Sequence, residues 1–134
     1  MGKAVGVGGV FLKALDPKAL QKWYHEHLGI PLSEYGFSSF EGPEAQGTTT
    51  FSFFPVDTRY FGEGDQRAMI NFRVDALDEV LAQLTAAGAR IDPKRDDSPY
   101  GRFAWFWDPE GNRVELWEPL GPALEGATAA ESER

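Results

Sequence analysis

The sequence predicts an α+β domain made of two modules, each a strand and a helix followed by further strands, and three observations carry the prediction. A unit of strand, acidic residue, amphipathic helix and glycine occurs twice at an offset of about sixty residues, so that Gly9 aligns with Met69 and Gly29 nearly with Gly88. Runs of β-type residues follow each helix. Near the end, Tyr100 to Pro119 (YGRFAWFWDPEGNRVELWEP) places two aromatic-rich segments on either side of DPEGN, five residues of turn formers that close a β-hairpin. One domain over residues 1–120 is expected, with modules at about 5–62 and 67–119 and a flexible tail at 121–134.

Val5 to Ala14 (VGVGGVFLKA) reads as a strand, weakened at its start by Gly6, Gly8 and Gly9. Asp16-Pro17 supplies an N-cap followed by proline at the first helical position, and the helix runs to about Leu28 with Gly29 as its stop. Leu20, Trp23, Tyr24, His27 and Leu28 are spaced for one buried face, which leaves His25 on the wet side. Tyr35 to Glu41 and Thr48 to Phe54 read as strands around the turn-rich GPEAQG. Pro55 to Gln66 is a loop whose Tyr60 and Phe61 stand among polar residues, either as a lid over a site or, more ordinarily, as anchors that tuck the loop onto the body.

The second module opens with the strand Met69 to Val74. Asp75 is placed to cap a helix whose first turn carries Asp78 and Glu79, whose stripe is Leu77, Val80, Leu81, Leu84 and Ala87, and which Gly88 ends. Ile91 begins an irregular, charged run that leads to the hairpin. A five-residue hairpin loop pairs Trp107 with Arg113, Trp105 with Glu115 and Phe103 with Trp117. Side chains alternate along a strand, so one face carries Phe103, Trp105, Trp107, Arg113, Glu115 and Trp117. The other carries Ala104, Phe106, Val114 and Leu116 and should pack under a helix.

Composition limits the function. With 42% hydrophobic and 25% charged residues the chain suits a soluble globular domain. It has no cysteine, which removes disulfides and thiolate metal sites. A formal net charge of −8 argues against nucleic acid, which needs a basic face. No apolar run approaches a membrane span and the N-terminus does not read as a signal peptide, so the expectation is a cytoplasmic protein with no membrane partner. There is no CxxC, HExxH, P-loop or dinucleotide fingerprint, and His25 and His27, two apart on a helix, point to different sides.

FLKALDPKALQKWYHEHLG, MINFRVDALDEVLAQLTAAGA and YGRFAWFWDPEGNRVELWEP, in this order, resemble the vicinal oxygen chelate proteins, which include glyoxalases, bleomycin- and fosfomycin-resistance proteins and extradiol dioxygenases. The resemblance covers roughly Val5 to Pro119. It implies two βαβββ modules forming a curved mixed sheet with a cup-shaped site, helices on the outer face, and a homodimer. It also implies three metal-ligand positions, commonly two histidines and a glutamate, which fall at Gly9, Met69 and Glu115. Only the glutamate has the needed donor, so no metal and no other cofactor is expected.

On that fold the strand faces opposite the helices carry Gly9, Phe11 and Lys13, and Met69, Asn71 and Arg73. With the hairpin they line a cup with Phe11, Met69, Phe103, Trp105, Trp107 and Trp117, and with Asn71, Arg73, Arg113, Glu115 and Lys13 as polar groups. The expected function is a small-molecule protein of the glyoxalase/bleomycin-resistance type that binds an amphipathic or aromatic organic ligand. It acts either as a binder or as a lyase or isomerase with Glu115 as acid or base. A metal-dependent lyase, isomerase or dioxygenase is the alternative. The plainest competing account is that the tryptophans fill the cup and that Arg73 or Arg113 satisfies Glu115.

Overall fold

A computed structural model describes residues 2–28, 30–33, 37–40 and 49–120. The elements are β1 (Ala4–Ala14), α1 (Pro17–Leu28), β2 (Phe37–Phe40), β3 (Thr49–Pro55), β4 (Ala68–Val74), α2 (Leu77–Ala86), β5 (Arg90–Ser98), β6 (Gly101–Trp107) and β7 (Arg113–Pro119). The seven strands form one mixed sheet in the order β2-β3-β1-β4-β7-β6-β5. Its centre shows the internal repeat. β1 and β4, the opening strands of the two modules, lie antiparallel, and each pairs in parallel with a later strand of its own module, β3 or β7. Both helices pack on one face: Tyr24 of α1 meets Phe51 and Phe53, while Leu77 and Val80 of α2 cluster with Ala104 and Leu116. No described helix is long and apolar enough to cross a membrane.

Much of this follows the sequence directly. Asp16 accepts the Ala19 N–H at 3.1 Å as an N-cap should, and Gly88 closes α2 with φ +84°. The hairpin register pairs Trp107 with Arg113, Trp105 with Glu115 and Phe103 with Trp117, as the loop length requires. The Asp108 carboxylate holds the turn, accepting the N–H groups of Glu110 and Asn112 at 2.9 Å each. After α2 the second module has three strands. After α1 the described part of the first has two, and Val56 to Arg67 runs as a loop. Gly29, Tyr35, Glu41, the GPEAQG turn and the 121–134 tail lie outside the described residues.

Three expectations need correction. The buried stripe of α1 is turned by about one residue: Gln21 is buried, whereas Trp23 is 51% exposed and His27 is exposed. The reason lies in the sheet, where Phe51 and Phe53 offer their rings to Tyr24 and leave Trp23 and His27 to pair with each other at the surface, 4.8 Å apart. Asp75 does not cap α2, because its carboxylate takes the Lys3 N–H at 2.8 Å and so ties down the start of β1. The cap comes from Glu118 of β7, which accepts the Leu77 N–H at 2.6 Å. Glu118→Ala should therefore lower stability by about 1 kcal/mol, measured as a shifted urea midpoint at unchanged slope. Finally, the run after Ile91 is a strand, β5, with a register break between Ile91 and Arg95. Pro93 is tolerated because β5 is an edge strand, and its charges are of the kind that protect an edge from further pairing.

Candidate functional site

Every predicted site residue lies on the sheet face away from the helices or at its border. Phe11, Met69, Phe103, Trp105 and Trp117 form one buried cluster, and the loop between β3 and β4 adds Phe61 to it, 1% exposed. Trp117 and Phe103 stack with centroids 5.9 Å apart. This face is packed by the chain's own rings. Trp107 stands at its border with Arg90 stacked 3.8 Å above its ring.

Glu115 lies at the middle of this face, 0% exposed. Its Oε1 accepts the Asn71 Nδ2–H at 2.5 Å, and its Oε2 accepts the Trp105 Nε1–H at 3.0 Å together with the Tyr60 hydroxyl. These three donors are all neutral. Arg113, one rung nearer the turn, directs its guanidinium to Asp92 at 2.7 Å and to the Tyr60 carbonyl at 2.9 Å. Arg73 donates to the Val7 carbonyl at 2.7 Å, and burial holds its pKa below the ordinary arginine value.

The glycines of β1 make this arrangement possible. A Cβ on Gly8 would stand 2.1 Å from Asn71 Oδ1, and one on Gly6 would stand 2.2 Å from Arg73 Nη2. The weak start of the strand is thus the clearance over which Asn71 and Arg73 lie. Asn71 Oδ1, tucked against Gly8, is buried without a hydrogen-bond partner.

An open cavity of about 750 Å³ lies beside the site rather than over Glu115. Lys13, Arg59, Arg90, Asp92, Trp107 and Arg113 are on its wall and Glu115 is not. Strand alternation brings Trp107 and Arg113 to the site from sequence, whereas Asp92 is not legible there and Tyr60 reads only as one of two loop aromatics. The available signal for Tyr60 was its isolation in a polar loop. Asp92 gave none, since only the strand pairing of β5 brings it to Arg113.

These side chains do not fit the metal that the resemblance implies. In register Glu115 faces Asn71, and Asn71 faces Gly9, while Met69 lies opposite Phe11. Asn71, two residues beyond the position carried over from the resemblance, is therefore the residue across from the carboxylate. Both Glu115 oxygens already accept N–H or O–H donors, and the Met69 sulfur faces the Arg113 Nη1 at 3.9 Å. No three His, Asp or Glu side chains among the described residues converge on a metal position. Elemental analysis of the purified protein should find far less than one transition metal per chain, and a near-stoichiometric amount would contradict this account.

Residues 9–117 match the family described as a glyoxalase-like domain. No curated protein sequence matches the chain. Among solved structures it is similar to methylmalonyl-CoA epimerase from Mycobacterium tuberculosis, with 22% identity over 92% of this chain and 93% of that one and a TM-score of 0.63. A methylmalonyl-CoA epimerase of Streptomyces coelicolor aligns at 13% identity over 89% and 100% of the two chains, TM-score 0.66. A halotolerant catechol dioxygenase aligns at 21% identity over 88% of this chain and 40% of that one, TM-score 0.55. At such identities the structural likeness is one of fold. The domain match over most of the chain makes it a member of the glyoxalase-like domain family, and through it of the vicinal oxygen chelate superfamily.

Proposed function

We propose that this protein binds a small amphipathic or aromatic organic molecule at the ring-lined face around Glu115, and that it does so without the metal of its relatives. The observation that carries the reading is a fully buried carboxylate set among tryptophans, which accepts from Asn71, Trp105 and Tyr60. Burying a carboxylate is expensive, and an apolar side chain of similar size would pack the same space at lower cost. Such a departure from the rules of a stable core is typical of a functional position. On this reading the ligand takes the volume that Tyr60 would vacate together with the open cavity beside the site, whose wall includes Trp107 and Arg113.

A screen of aromatic and amphipathic metabolites by thermal shift and tryptophan fluorescence tests this. At least one compound class should stabilise the protein and quench or shift the emission, and Glu115→Gln should lose the response. If no compound at millimolar concentration moves either signal, the reading fails.

The hydroxyl–carboxylate contact between Tyr60 and Glu115 supports a second reading, a lyase or isomerase in which Glu115 takes up or returns a proton. A homodimer is part of the proposal, on the β2 edge at which the described sheet ends, and light scattering that reports a monomer at micromolar concentration would remove it.

A further inference from the structure

We infer that the ligand of this site is a flat, electron-rich, uncharged ring bearing a hydroxyl or ring N–H, and that it binds by replacing the Tyr60 phenol on Glu115. The inference rests on the reading that this face is a ligand site. It comes from treating Tyr60 as a ligand the chain supplies to itself. The Tyr60 ring stacks on Phe54 with centroids 5.1 Å apart and an interplanar angle of 15°, and it meets Trp105 edge-on at 6.0 Å. Its hydroxyl donates to the Glu115 oxygen that also accepts the Trp105 N–H. A stacking wall, an edge partner and a buried acceptor are together what recognition of a phenol requires.

The chain around this ring is anchored by groups other than the ring itself. Phe61 is fully sunk in the aromatic cluster, and Arg113 Nη1 holds the Tyr60 carbonyl at 2.9 Å, so the backbone stays anchored. Tyr60 itself is only half-buried, and a change of its side-chain rotamer vacates the position. Gly62 follows at φ +93°, where the chain turns tightly over the Arg113 side chain.

The surrounding charges select a neutral ligand. Lys94 Nζ stands 4.8 Å from the Trp105 ring centroid and 5.6 Å from that of Tyr60, and the Arg113 guanidinium lies 5.2 Å from Trp105. A cationic ligand would be the third positive group over these rings, and an anionic one would meet the Glu115 carboxylate. Of the two, Lys94 also stands over the Tyr60 ring and so favours an electron-rich ring in that position.

The probes are p-cresol, its methyl ether 4-methylanisole, and toluene, titrated by calorimetry into wild type, Tyr60→Ala and Tyr60→Phe. Removing the internal competitor should tighten p-cresol binding in Tyr60→Ala by about tenfold over wild type. In that variant p-cresol should bind about tenfold more tightly than 4-methylanisole, and adding Glu115→Gln should erase most of the preference. Tyr60→Phe keeps the ring but not the hydroxyl, so it should also bind p-cresol more tightly than wild type does, and it serves if Tyr60→Ala is poorly folded. Equal affinity for the cresol and its ether, or no gain on changing Tyr60, overturns the inference. If hits from the metabolite screen bind wild type yet neither compete with p-cresol nor respond to Tyr60→Ala, the inference falls while the ligand-site reading stands. Failure of every probe and every screened metabolite on every variant removes both.

Discussion

Arg113→Met should cost about 3–5 kcal/mol of stability, the toll of breaking a mostly buried ion pair from one side. The Arg113 and Asp92 side chains are only 7% and 17% exposed, and the guanidinium is 2.7 Å from the carboxylate. Methionine fills the volume but strands Asp92 and also releases the Tyr60 carbonyl. The pair has a definite pH signature. Burial pushes the Asp92 carboxyl up, but the Lys94 backbone N–H and the Arg113 guanidinium outweigh it, and the folded-state pKa lies below the ordinary value. A depressed carboxylate contributes stability above its unfolded-state pKa and loses it as pH falls through the folded one. The difference between wild type and Arg113→Met in chemical denaturation should therefore be full at pH 7 and shrink below about pH 4. A difference that stays constant down to pH 2 would show that the pair is not its source.

Local chemistry explains which parts of this fold could be read from residues. The hairpin register followed from five turn formers and alternating faces, and the module repeat from a cap, a stripe and a glycine stop. Interactions between distant segments were not legible. Lys3 takes Asp75 away from its capping role, Glu118 reaches Leu77 from another strand, and Pro93 sits in a strand only because that strand lies at an edge. At the site, strand alternation placed Phe11, Asn71, Trp105, Glu115 and Trp117 on one face. It could not tell which donors would reach the carboxylate. Arg113 is held by Asp92 and Arg73 reaches the Val7 carbonyl, while a tyrosine from a loop of no fixed period arrives on Glu115.

Glu115→Gln is the second large effect expected, and it separates function from structure. If the carboxylate were one half of a buried ion pair, neutralising it would cost about 3–5 kcal/mol. Glu115 accepts from Asn71, Trp105 and Tyr60, and these three contacts can absorb an amide. The glutamine oxygen takes the Trp105 and Tyr60 donors, and Asn71 turns its unpartnered Oδ1 toward the new NH₂ group. The loss of a buried charge and the loss of charge-assisted hydrogen bonds then act in opposite directions. Parallel measurement of unfolding free energy and of affinity for the tightest compound from the metabolite screen, on wild type and Glu115→Gln, is the most direct test. The predicted result is a stability change under about 1 kcal/mol with affinity lowered about tenfold or more. A loss of several kcal/mol in stability with unaltered affinity would contradict it and leave Glu115 as a structural residue.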